Sequence, residues 1–307
     1  MMVLNALFPV IAIICAGIVL QKTHFLDAGF FRNSDRLVYF VLFPVLLFWK
    51  IGAAPLDPAQ NTHYLAAIGC AVLTVFIVSL LFVRMVKMEP FKVGSFSQSC
   101  YRFNTYIGMA VVINLFDEKG VQLFGILVGL VIPFINVLSV SVLIWFSGKE
   151  QNVMDKFLGT IKSLLVNPLI IGCLCGLAYA RLIGGFPSYV SNSLQLLAST
   201  TLPLALLSIG GSLTFHGVRG NFWLAMAGSC FKLVVLPLFG LFFLAIFGVT
   251  GQPWQVSLLY LSLPTSTAIY VLSSQLNSDT DLASAAIVVS TCCAFVTMSI
   301  AIYWISV

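Results

Sequence analysis

Short polar breaks cut this sequence into ten apolar stretches, each about the length of a helix that crosses a bilayer. They lie near residues 3–21, 36–53, 64–84, 93–116, 121–147, 163–182, 190–213, 222–247, 253–276 and 282–304, and are called spans 1 to 10. A hydrocarbon core of roughly 30 Å takes about 20 apolar residues as helix, and inside lipid each backbone amide and carbonyl must find its partner within the protein. Only 8% of the residues are charged, against about a quarter in soluble domains, and no soluble fold hides that much apolar surface. The expectation is an all-α integral membrane protein of ten transmembrane helices, resident in the cell (cytoplasmic) membrane, with lipid as its main surroundings and no appreciable soluble domain.

A net charge of +5 would hint at nucleic acid in a soluble chain. Here the basic residues report topology instead, and no nucleic-acid partner is expected. Counted from the N-terminus, odd-numbered loops carry Lys22, Arg32, Arg36, Arg84, Lys87, Lys92, Lys149, Lys156, Lys162 and Arg219, whereas even-numbered loops carry only Lys119 and Arg181. By the positive-inside rule the odd loops, including 148–162, face the cytoplasm and both termini face out. Span 1 is expected to stay as a helix, since no basic residue precedes it and Lys22 follows it. The eight cysteines all fall inside spans without CxxC spacing, and His24, His63 and His216 sit singly in loops. Metal sites need clustered ligands, so neither a metal nor a cofactor is implied.

Sliding the chain against itself by 159 residues brings Pro9 onto Pro168, Gly17 onto Gly176, Pro44 onto Pro203 and Gly52 onto Gly211. Proline and glycine are common in membrane helices, so one match means little; four at one offset, in two Pro-to-Gly pairs, indicate an internal repeat. Residues 1–147 and 163–307 then form two five-helix halves joined by loop 148–162. Five is odd, so the second half starts on the opposite face of the membrane, and the repeats are inverted. Secondary transporters are built this way, because two similar halves facing opposite ways supply two similar states.

In such folds the substrate site sits where helices break near mid-bilayer, and the fourth span of each half has the residues for a break. Span 4 holds Arg102, Asn104, Thr105 and Gly108 near its centre; span 9 holds Pro264, Thr265, Ser266 and Thr267. Proline removes an amide and obstructs the carbonyl before it, while glycine and the Asn-Thr pair permit unwinding. Backbone groups are freed where lipid cannot satisfy them, and a ligand is one partner for them; Ser and Thr side chains in a merely kinked helix are another. Half-helix N-termini also favour an anion.

Charge narrows the substrate class. Lys232 lies in the middle of span 8, Arg102 adjoins the break in span 4, and Lys50 sits near the end of span 2 where it can snorkel, while all ten acidic residues fall in loops or at helix ends. Cations at membrane depth without carboxylates favour an anionic substrate such as a carboxylate, held by Arg102 or Lys232 with amides and hydroxyls. The bland reading has both cations bonding carbonyls of neighbouring helices. Proton coupling through a membrane aspartate is disfavoured.

These residues bring a family with them. Arg102-Phe103-Asn104-Thr105-Tyr106-Ile107-Gly108 resembles a signature of the auxin efflux carrier family, part of the bile acid/arsenite/auxin transporter superfamily. Leu202 to Gly210 (LPLALLSIG) is similar to the family's seventh-helix motif, and Phe231 to Pro237 (FKLVVLP) to its eighth-helix lysine-to-proline segment. The resemblance covers the whole chain and implies an NhaA-like arrangement. Spans 1, 2, 6 and 7 would form a scaffold, spans 3–5 and 8–10 a transport unit, and broken spans 4 and 9 would cross at the binding site. It also implies elevator-type alternating access and a homodimer through the scaffold helices. Two departures bear on the substrate: Gly108-Met109-Ala110 stands where the family commonly has Gly-Leu-Pro, and Ala268 where bacterial relatives often have asparagine. The expected function is a carrier of a small organic anion. The alternative is a membrane sensor that binds the ligand on the same fold without turnover. A membrane enzyme lacks convergent catalytic groups here, since no histidine lies at membrane depth, and crossing half-helices suit occlusion better than a channel's continuous pore.

Overall fold

In a computed structural model of the chain, residues 2–53, 63–146, 166–213 and 218–306 are described. All their regular structure is helical: α1 (Met2–Lys22), α2 (Ala28–Ala53), α3 (His63–Met85), α4 (Pro90–Ser99), α5 (Thr105–Leu115), α6 (Glu118–Phe146), α7 (Pro168–Leu182), α8 (Ser188–Ser212), α9 (Val218–Ile246), α10 (Gly251–Leu261), α11 (Ala268–Gln275) and α12 (Thr280–Ser306). Of these, α1, α2, α3, α6, α8, α9 and α12 are seven helices long and apolar enough to cross a membrane; α5 and α7 are shorter apolar helices. The connecting loop 148–162 and His216 lie outside the described residues.

Hydropathy placed the start of span 2 at residue 36, but α2 begins at Ala28. Asp27 caps it, its carboxylate accepting from the Phe30 amide at 2.8 Å, which satisfies one of the orphan donors of a first turn. The opening segment of α2, AGFFRNSDRL, is amphipathic, with Phe31 and Ser34 buried, so an average over it hides the helix. One consequence corrects the sequence reading: Asp35 is not at a helix end but inside a candidate span, within side-chain hydrogen-bond reach of Ser208 and Ser212. At the start of α7, Asn167 accepts from the Leu169 amide at 2.9 Å, with Pro168 in the first helical position, where its missing N–H is no loss.

Two of the helices carry a π-turn ahead of a proline, Val38–Leu42 before Pro44 and Phe231–Val235 before Pro237. The Phe43 amide donates to Val38 and the Leu236 amide to Phe231, five residues back rather than four. A proline ring presses on the turn before it, and the wider turn makes room. In α9 this device also sets the direction of Lys232, which lies within it.

The chain divides into two compact units. The first comprises Met1–Asn61, Tyr106–Leu130 and Leu164–Leu213. In it α1 packs on α8 and α2 on α7. Backbones meet closely: a Cβ on Gly17 would fall on the carbonyl oxygen of Leu207, and one on Gly176 would lie 3.1 Å from that of Phe48. Thr201 donates its hydroxyl to the Leu42 carbonyl at 3.2 Å, and Ser208 to that of Phe31 at 2.9 Å. In lipid, where burying apolar surface brings little, such close approach and interhelical hydrogen bonds hold helices together.

The second unit comprises Thr62–Thr105, Val131–Ser163 and Thr214–Val307. Within it α9 packs against α3 and α12, and α4 lies against α9, α11 and α12. Phe82, Phe96 and Phe231 form an aromatic cluster joining α3, α4 and α9, with ring centroids 5.3–6.1 Å apart.

Candidate functional site

Both expected breaks are present in the second unit. Helix α4 stops at Ser99 and the chain is non-helical until Thr105; α10 stops at Leu261 and helix resumes at Ala268. The two breaks are hydrogen-bonded to each other. The Asn104 amide donates to the Pro264 carbonyl at 2.9 Å, and the Thr265 hydroxyl to the Ser99 carbonyl at 2.8 Å. The Thr265 amide in turn donates to the Ser290 hydroxyl at 3.2 Å. Several groups that unwinding sets free, for which the sequence offered a ligand or Ser and Thr side chains as partners, are therefore paired by the opposite break. Replacing the fully buried Thr265 by valine keeps the shape and leaves Ser99's carbonyl without its partner, at a cost of about 1–3 kcal/mol. A lowered melting temperature is the expected result, and an unchanged one would mean that this bond does not hold the breaks together.

Arg102, Asn104, Thr105, Pro264 and Thr265 are all buried in this unit, and Ser266 and Thr267 are half-buried where α11 begins. Ser266 accepts from the Ala268 amide at 3.3 Å, so it helps to start that helix. Gly108 is not brought to this cluster within the unit, because it lies in the part of α5 that belongs to the first unit. Lys50 also belongs to the first unit, its ammonium 4.4 Å from the centroid of the Trp49 ring.

Lys232 has an unusual setting. It is fully buried, and among the described residues its Nζ has no hydrogen-bond acceptor. The nitrogen stands 3.4 Å from the centroid of the Phe103 ring, which itself packs on Tyr260 at 4.1 Å. Burying an ammonium at membrane depth costs several kcal/mol, whereas a cation–π contact returns about 2 kcal/mol at best. The alternative in which Lys232 bonds a neighbouring carbonyl is not met among the described residues, and the arrangement has electrostatic room for an anion.

Sequence reasoning missed four contributors. Phe103 stands between two nominated residues and looks like filler, and Tyr260 is one aromatic residue within an apolar run. Ser290 gave no signal. Gln98 sits in the serine-rich stretch SFSQS: its amide donates to the Ser273 hydroxyl at 2.9 Å, and Ser95 lies 2.8 Å from Ser273 and 2.9 Å from Ser278. This buried network ties α4 to α11.

Interrupted helices pinned to each other at their interruptions are a construction of solute carriers, and the protein class is a multi-pass membrane transporter. Residues 2–302 match the membrane transport protein family, and the chain belongs to it, the auxin efflux carrier family whose motifs it carries. Among its relatives is an uncharacterized transporter of Methanocaldococcus jannaschii, 25% identical over 282 residues that cover 89% of this chain and 82% of that one. Another is a Rhizobium meliloti protein named "Putative malonate transporter", 24% identical over 282 residues that cover 88% of this chain and 86% of the relative.

Proposed function

We propose that the protein is a secondary carrier moving a small organic anion, a carboxylate, across the cell membrane by elevator-type alternating access. The observation that carries this reading is Lys232, a fully buried cation without a hydrogen-bond acceptor among the described residues, in the same unit as two mutually bonded helix breaks. A carboxylate entering there supplies the missing charge, with Arg102, Asn104, Thr105, Ser266 and Thr267 as the polar groups of the two breaks, while Thr265, whose hydroxyl and amide both donate within the protein, holds the breaks together. The name of the Rhizobium relative makes malonate a sensible first probe.

The architecture in this proposal is ten spans in two inverted repeats, with both termini outside and loop 148–162 cytoplasmic. Its support lies in how repeat-related residues meet: Gly17 approaches the Leu207 carbonyl and Gly176 that of Phe48, each partner of one contact being 159 positions from a partner of the other. Thr201 donates to Leu42, its own counterpart at that offset. Two like segments related by a two-fold axis meet in pairs of this kind. The grouping of α1, α2, α7 and α8 in one unit supports their role as a scaffold, through which the protein would dimerise, although that unit also includes residues 106–130.

The test is a thermal-shift screen of purified protein against dicarboxylates, aromatic carboxylates and neutral amino acids, followed by counterflow in proteoliposomes. One anion class should raise the melting temperature of the wild type and not of Asn104→Ala, and should give saturable counterflow. Stabilisation by neutral compounds alone would refute the anion assignment. Binding without counterflow would favour a sensor.

A further inference from the structure

We propose that Phe103 is a surrogate counter-ion: in the empty carrier its ring face holds the Lys232 ammonium, and an arriving carboxylate must displace it. The proposal rests on the reading that an organic anion binds beside Lys232. The ammonium nitrogen lies 3.4 Å from the ring centroid and has no other acceptor among the described residues. An aromatic face attracts a cation more weakly than a carboxylate does. It holds the charge in place without quenching it, where an aspartate would bind it too firmly for a substrate to compete.

The position of Phe103 turns this contact into a switch. It is non-helical, in the break between α4 and α5, directly before Asn104, whose amide holds the Pro264 carbonyl. Its ring is also packed on Tyr260, one residue before the end of α10. Pulling the ammonium from the ring loosens a residue that both breaks share, so arrival of substrate is felt in the two interrupted helices together. Phe103 is thus a positioning and affinity-setting residue, and no hydrogen bond to substrate is required of it.

The proposal has a sign that ordinary packing lacks. A ring that only fills space supports the site, and losing it weakens binding or leaves it unchanged. A ring that competes with the substrate weakens binding by being present. Phe103→Leu, or Phe103→Met if the leucine variant does not fold, should therefore bind malonate about 2- to 30-fold more tightly than wild type, the range of a cation–π contact. Phe103→Tyr, which keeps the ring face, should restore the wild-type value. The half-saturation concentration in counterflow should fall in the ringless variants without a rise in maximal rate, because release slows.

A ligand-free arm makes the test independent of the choice of probe. The melting temperature lost on Phe103→Leu should be greater in wild type than in a Lys232→Leu background, leucine being used there because methionine makes a sulfur–ring contact of its own. Equal losses in the two backgrounds would mean that ring and ammonium are not coupled, and would overturn the proposal. Wild type that binds malonate while its ringless variants bind it equally or less well would also overturn it, leaving the anion reading intact. Wild type stabilised by no anion of the screen would remove the anion reading, and the surrogate role with it.

Discussion

Lys232→Met is expected to abolish measurable anion counterflow while leaving the melting temperature unchanged or higher. Removing one partner of a buried, hydrogen-bonded charge pair costs about 2–5 kcal/mol, or roughly 30- to 4,000-fold in binding. The stability of the empty protein should move the other way. Its buried ammonium has no hydrogen-bond acceptor among the described residues, and replacing a poorly compensated buried charge by an apolar side chain of similar length is neutral or stabilising. The two readouts together discriminate: a structural lysine would lose stability and transport in parallel. Counterflow in Lys232→Met within a few-fold of wild type would remove this residue from the site.

The second large effect is expected in the first unit. Gly17→Leu and Gly210→Leu should each prevent recovery of a monodisperse folded protein. A Cβ at residue 17 would fall on the Leu207 carbonyl oxygen, and one at residue 210 on the Ile14 carbonyl oxygen. Overpacking among side chains costs about 1–3 kcal/mol because rotamers give way. Here backbone meets backbone, so α1 and α8 must separate along their length, and close approach is what holds them. Gly69→Ala is the control: nothing lies within 4 Å of its added Cβ in α3, and alanine in a helix should be neutral or stabilising by about 0.5–1 kcal/mol. Size-exclusion chromatography and thermal unfolding separate these outcomes. A well-folded Gly17→Leu variant would mean that α1 and α8 are not packed this closely.

The helix breaks were legible because their signals are local and out of place. Pro264 within an apolar run, and Arg102 with Asn104 and Thr105 within another, cannot continue a helix in lipid without cost. Proline and glycine matched at one offset are the sequence signal behind the repeat in the proposed architecture. The start of α2 was not, since Asp27 and the amphipathic turn after it look like a polar loop to any average over 20 residues. Asp35 was misassigned for the same reason. Phe103 was invisible as an electrostatic group, because an aromatic residue among 26 phenylalanines reveals nothing of what lies over its face.

The sequence alone determined the class of the protein, an apolar chain of membrane-length helices with interruptions in two of them, because hydropathy, proline geometry and glycine act over a few consecutive residues. Only the tertiary structure decided what those interruptions meet: Asn104 against Pro264, Thr265 against Ser99, and Lys232 over Phe103. Each of these pairs joins residues more than a hundred positions apart. Whether a buried charge meets a carboxylate, a carbonyl or a ring depends on helix rotation and depth, which packing sets and local sequence does not.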